Sequence, residues 1–171
     1  LVRSNMSPAE ADDISERWDE REAELGEENF EALLKLTPLI LTADPKRKVS
    51  ALSLFYEREF TPEQCAIFVR EQLWKFLDLY YQFTPGQIEQ CEAGPEAKRL
   101  LKCLLLYREK LWMAPAIDFL STHAIDAPET LEFLHGLERL CFLRAMGVIQ
   151  DRHLHGRFAR VTQARGKASA L

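Results

Sequence analysis

Few residues in this chain have the means to do chemistry, and histidine comes first because imidazole ligates zinc and moves protons near neutral pH. His153 and His155 stand two positions apart. On a helix that spacing turns them about 200° from each other, so they do not share one metal as an i, i+4 pair does. His123 lies near Ser121 and Asp126, the residue types of a nucleophilic triad, but the three fall at a helix end without a G-x-S-x-G elbow. Ordinary helix-end polar residues account for them. Asp118, Glu132 and Glu138 offer carboxylates for acid–base work, yet no pairing pattern separates them from solvated helix faces. A phosphate cradle needs clustered glycines so that consecutive N–H groups approach the anion, and the seven glycines stand apart at 26, 86, 94, 136, 147, 156 and 166. No catalytic residue, metal ligand or cofactor site is assigned within these 171 positions.

A binding surface is better represented. From Arg139 to Lys167 the sequence holds seven cations (Arg139, Arg144, Arg152, Arg157, Arg160, Arg165 and Lys167) against the single acid Asp151. Two readings fit this stretch. Cations near helix C-termini complement the helix dipole, and here they would also balance an acidic N-terminal helix. Alternatively, Arg152, Arg157, Arg160, Arg165 and Lys167 form a basic surface that contacts DNA backbone phosphates. Trp18, Trp74 and Trp112 read as core anchors rather than platforms for stacked bases.

The elements that must position these residues are helices. Ser7-Pro8-Ala9-Glu10 is a capping box with proline at the first helical position, and it opens a helix over about 8–25 that Gly26 ends. Between Ala9 and Glu31 stand eleven acids and two arginines, and the apolar stripe is thin (Ile14, Trp18, Leu25), so this helix is expected as an outer layer. A second helix, with Phe30, Leu33 and Leu34 on one side, is expected to run from Glu27 to about Leu36 and to be disrupted by Pro38. After a polar loop at 43–48, a helix over about 50–60 follows. Thr61-Pro62-Glu63-Gln64 then caps the most apolar helix, with Ala66, Val69, Leu73, Phe76 and Tyr80 on one face and Phe68, Trp74 and Leu77 widening it. That helix is expected to be central. Turn-rich sequence from Thr84 to Gly94 leads to a helix from Pro95 carrying Leu100, Leu101, Leu104 and Leu105. A shorter helix begins near Pro115, a long one runs from Asp126-Ala127-Pro128 to about Met146, and a last one covers about 150–164. No stretch alternates with period two, so the fold class is all-α: a compact bundle of about seven to nine helices, no sheet, with short connections favouring antiparallel neighbours.

Composition sets the bounds. With 47% hydrophobic and 29% charged residues, the chain is neither collagen-like nor wholly disordered. A net charge of -5 argues against a protein that mainly coats nucleic acid or anionic membrane, so any basic surface is local. Cys65, Cys91, Cys103 and Cys141 form no C-x-x-C pair and read as reduced, mostly buried thiols. No stretch approaches the roughly 18 consecutive apolar residues of a membrane span, and the start lacks a signal pattern, so a cytoplasmic location without a membrane partner is expected. Since the chain opens at Leu1 and its first methionine is Met6, it is expected to be a single helical domain over 1–171, ordered from about 7 to 165, excised from a larger protein.

Three stretches then carry a likeness together. They are Glu16-Arg17-Trp18 leading to Leu25-Gly26-Glu27-Glu28-Asn29-Phe30; Leu105-Leu106-Tyr107 through Trp112-Met113-Ala114-Pro115-Ala116-Ile117; and Phe133-Leu134-His135-Gly136-Leu137-Glu138-Arg139-Leu140 through Arg157-Phe158-Ala159-Arg160-Val161. In this order they resemble the helical middle region of GmrSD-like modification-dependent restriction and phage-defence proteins, over roughly 3–165. Such proteins carry a nucleotide-using domain with a D-G-Q-[QR]-R motif before this region and an HNH nuclease domain after it. Neither motif stands here: the only asparagines, Asn5 and Asn29, lie far in sequence from all four histidines. The resemblance therefore implies a connecting or regulatory helical domain. Its partners would be the flanking sensor and nuclease domains, with DNA at the basic surface, and the parent protein would be a DNA endonuclease whose catalytic residues lie elsewhere. The residues leave a second reading open, a stand-alone helical protein–protein interaction module whose groove receives a partner helix.

Overall fold

The computed structural model describes residues 7–42, 61, 67–108, 110–149, 157, 158, 160 and 161, and every regular element among them is helical. Helix α1 (Pro8–Leu25) starts on the expected capping box. Ser7 Oγ accepts the Glu10 amide at 3.3 Å while Glu10 Oε2 accepts the Ser7 amide at 3.1 Å, so two orphan donors of the first turn are satisfied. Gly26 ends the helix at φ +77°. Only Leu25 is fully buried, and α1 lies as an outer layer against α2 (Glu27–Thr42), with Trp18 meeting Phe30 edge-on at 4.7 Å.

Helix α2 does not stop before Pro38 but continues to Thr42, which corrects the shorter helix expected there. An interior proline costs about 3 kcal/mol through its missing N–H and its clash with the preceding turn. Leu36, Leu39 and Ile40 are all buried, and each contributes roughly 1.5–3 kcal/mol on leaving water. Packing outweighs the local penalty.

Residues 67 and 68 are helical, Val69–Leu73 is a π segment, and α3 (Trp74–Gln82) continues from it. Straight α spacing would spread Phe68, Val69, Leu73, Trp74, Phe76, Leu77 and Tyr80 over about 240° of helix surface. The extra residue of a π turn winds the later positions back by about 100°, toward the side that Phe68 and Val69 occupy. All seven are buried.

Helix α4 (Pro95–Leu106) follows the turns at 83–94, and α5 (Met113–Leu120) lies between it and α6 (Pro128–Ala145). The hub is α5 rather than the longer apolar stretch that contains α3. It buries Met113, Ala114, Pro115, Ala116, Ile117 and Leu120 and packs on α2, α3 and α6. Alanines bring helix axes close, which favours a short helix at the crossing point. The most extensive helix pair is α4 with α6, which are not consecutive in the chain. Glu96 reaches His135 while Tyr107 reaches Glu138, so the two helices run in the same sense, with α5 returning the chain between them.

The end of α4 is sealed by Lys110, whose ammonium donates to the carbonyls of Leu105 at 2.6 Å and Tyr107 at 2.9 Å. Its start is tied to the loop before α6. Asp126 does not cap α6; its carboxylate accepts the Gly94 amide at 2.7 and 2.9 Å, across 32 residues. A Cβ on Gly94 would stand 2.9 Å from Asp126 Oδ1, so a larger residue there would displace that carboxylate. Asp126→Ala is expected to cost about 1–2 kcal/mol, read as a fall in thermal midpoint of roughly 2–8 °C.

Helix α6 ends in a Schellman motif: Gly147 N–H donates to Arg144 O at 2.9 Å and Val148 N–H to Leu143 O at 3.0 Å, with Gly147 at φ +75°. Nothing lies within 4 Å of a Cβ built on Gly147, so Gly147→Ala meets backbone strain alone. It is expected to lower stability by about 1–2 kcal/mol in denaturant titration without changing the helical spectrum. The described residues hold six α-helices and the π segment, against the seven to nine helices expected. The helix expected over 50–60 and most of the last one lie outside the described residues.

Candidate functional site

Residues 157, 158, 160 and 161 are helical and sort cleanly by side. Phe158 is 1% exposed and belongs to the core, and Val161, one turn on, packs partly buried against it. Arg157 and Arg160 share the same three-residue spacing and are both exposed. The apolar pair anchors the segment, and the arginine pair faces water. Arg152, Arg165 and Lys167 lie outside the described residues, as do His153 and His155. On α6, Arg139 is exposed and Arg144 half-buried in the last turn, where a cation meets the negative end of the helix dipole.

The acidic helix α1 does not draw on these arginines among the described residues. Its cations come from nearby: Arg70 of the π segment pairs with Glu10 at 3.0 Å, and Arg21 bridges Glu24 and Asp78, each at 2.7 Å. The Ser7 amide, and after it Arg70, hold the Glu10 carboxyl below its usual range. Arg139, Arg157 and Arg160 have no ion-pair partner among the described residues, so their charge is available to an anion.

The other candidates for chemistry are placed in structural roles. Ser121 Oγ donates to Asp118 O at 2.7 Å, and Asp126 holds Gly94. His123 stacks on Phe119 at 4.1 Å with Nδ1 2.9 Å from Thr122 Oγ1, so no triad joins the three. Glu138 accepts the Tyr107 hydroxyl at 3.2 Å, and burial, with Glu138 beside it, pushes that phenol up to about 12. Burial likewise pushes the Cys141 thiol up to about 12, a packing thiol rather than a nucleophile. Cys91, Cys103 and Cys141 are free; the first two are half-buried, and Cys65 lies outside the described residues. Glu132 is exposed. Among the described residues no three His, Cys, Asp or Glu side chains gather as metal ligands. Trp112 is fully buried, its indole N–H without a hydrogen-bond partner, and Arg17 covers Trp74 at 4.8 Å, so the tryptophans serve the core.

Clefts open on the surface among the described residues, two of them beside the α3 end of the bundle. One of about 460 Å³ is lined by Tyr81, Gln87, Gln90, Cys91 and Ile125, and Gln87 Nε2 donates to the Tyr81 hydroxyl at 2.8 Å. The other, about 280 Å³, lies between the π segment and the end of α5, with Glu71, Lys75, Asp118 and Ser121 on its walls. Sequence reasoning missed a different feature. Leu106, Phe142, Met146 and Val148 are exposed, and the signal for it was the apolar run Leu140–Leu143 near the end of α6, continued by Ala145 and Met146 beyond Arg144. No described helix is long and apolar enough to cross a membrane. No protein-family model, curated protein or solved structure matches the chain.

Proposed function

We propose that this chain is the helical connecting and regulatory domain of a GmrSD-like modification-dependent DNA restriction protein of the cytoplasm. In this reading it couples an N-terminal nucleotide-using sensor domain to a C-terminal HNH nuclease domain and touches DNA backbone through Arg157 and Arg160. The observation that carries the reading is the ordered likeness of three stretches, and their placement supports it. Trp18, Leu25 and Phe30 sit at the α1–α2 joint; Trp112, Ala114, Ala116 and Ile117 form the hub; Leu134, Leu137 and Phe158 dock the C-terminal end. Those residues set helix angles, which is what a coupling domain must transmit. Arg157 and Arg160 belong to the same likeness, yet packing does not account for them. An exposed pair of cations without acidic partners suits phosphate.

Reading the locus that encodes the chain tests the proposal. A D-G-Q-[QR]-R motif is expected before the region and an HNH motif after it; the absence of both overturns the reading. The alternative, a stand-alone interaction module, draws support from the exposed apolar side chains of α4 and α6. Its groove would not run along the apolar stretch at 67–82, whose apolar face is buried.

A further inference from the structure

We propose that the cleft of about 460 Å³ formed by the end of α3, the turns at 83–94 and the loop before α6 is a binding site for an uncharged nucleobase. This inference does not depend on the restriction reading or on Arg157 and Arg160. The volume falls in the range of roughly 300–1,000 Å³ usual for small-ligand sites. Its walls are held in place. Tyr81 and Ile125 pack partly buried against the core, and Asp126, next to Ile125, ties its loop to Gly94 at 2.7 and 2.9 Å, just past the end of the opposite wall. Cys91, on that wall, donates its Sγ–H to Ile88 O at 3.1 Å.

The polar groups identify the ligand. Gln82, Gln87 and Gln90 all line the cleft, and Gln87 Nε2 donates to the Tyr81 hydroxyl at 2.8 Å. That bond makes the phenol oxygen the acceptor, so its own hydrogen is left to donate, and Gln87 keeps Oε1 and a second N–H. Gln82 and Gln90 make no side-chain hydrogen bond among the described residues. A carboxamide holds an acceptor beside a donor in one plane. The edge that meets both at once is a flat heterocycle with a donor beside an acceptor, as in the pairing of glutamine with N6 and N7 of adenine. The Tyr81 ring and Ile125 supply apolar surface for the flat face. Phosphate has no part in the fit: among the described residues no Lys or Arg lines the cleft, and its one charged group, Glu92, is an exposed carboxylate. A sugar has hydroxyls but no planar edge, and so forfeits the paired bonds.

The test follows alkylation of Cys91 by a maleimide in the full chain, read by peptide mass, with half-buried Cys103 on α4 as internal reference. Adenosine is expected to slow Cys91 saturably, with half-protection at or below about 1 mM, and to leave Cys103 unchanged. Dimethylation of the adenosine amino group removes its donor, and ribose alone has no base; both are expected to protect at least about tenfold more weakly. Adenosine monophosphate is expected to gain nothing over adenosine. Gln87→Leu is expected to weaken adenosine by about two- to tenfold, the size of a neutral hydrogen bond. Gln90→Leu, at an exposed side chain that bonds nothing among the described residues, gives the same reading should Gln87→Leu perturb the fold. Unprotected Cys91, equal protection by ribose, at least about tenfold tighter binding of the monophosphate, or unchanged adenosine binding in both variants overturns the proposal.

Discussion

Replacing Phe158 with alanine is expected to lower the unfolding free energy by about 3–5 kcal/mol, the range for truncating a fully buried aromatic. The side chain is 1% exposed and lies in the one core cluster that α1 to α6 share, with Val161 packed beside it. Losing it removes transfer energy and leaves a void where the final helical segment docks. At roughly 2–4 °C per kcal/mol for a domain of this size, the thermal midpoint should fall by about 6–20 °C. Phe158→Leu refills much of the volume and should recover most of the loss. A fall below about 1 kcal/mol for the alanine variant would mean that Phe158 does not anchor the segment, and the outward setting of Arg157 and Arg160 would lose its basis.

Removing those two arginines together is expected to do the opposite: leave the fold alone and weaken DNA binding. Both are exposed, and surface substitutions of this kind usually change stability by less than about 0.5 kcal/mol. Each phosphate contact releases about 0.9 counterion, so two lost contacts cost about 1.8 powers of ten relative to 1 M salt, or on the order of 60-fold at 0.1 M. Because phosphates carry no base identity, the loss should be uniform across duplex sequences. Electrophoretic or anisotropy titration of the parent protein with several duplexes checks this beside a melting curve. If binding and melting temperature fall together, the arginines are structural.

Much of the frame was legible because local rules and packing agree on it. The Ser7–Glu10 box and Gly26 bound α1 as written, and the buried set on α3 and the π segment matches the apolar face expected there. The departures arise where tertiary packing overrides a local signal. Pro38 fails to end α2 because Leu39 and Ile40 beyond it are buried. The π turn at Val69–Leu73 has no sequence mark, since it answers to the placement of side chains on both sides of it. Asp126 was legible as a helix-start residue, but its bond to Gly94 spans 32 positions and no local motif encodes it. At the candidate site, the arginines could be read from charge alone, whereas their outward direction depends on Phe158 and Val161 facing in.

The central claim is that this chain contributes phosphate binding through Arg157 and Arg160 on a docked helical frame. The most direct measurement is the slope of log K against log salt for one DNA duplex, taken for the chain and for its Arg157→Ala, Arg160→Ala form under conditions where both are folded. The account predicts a slope shallower by about 1.8 in the double variant. Identical slopes would contradict it.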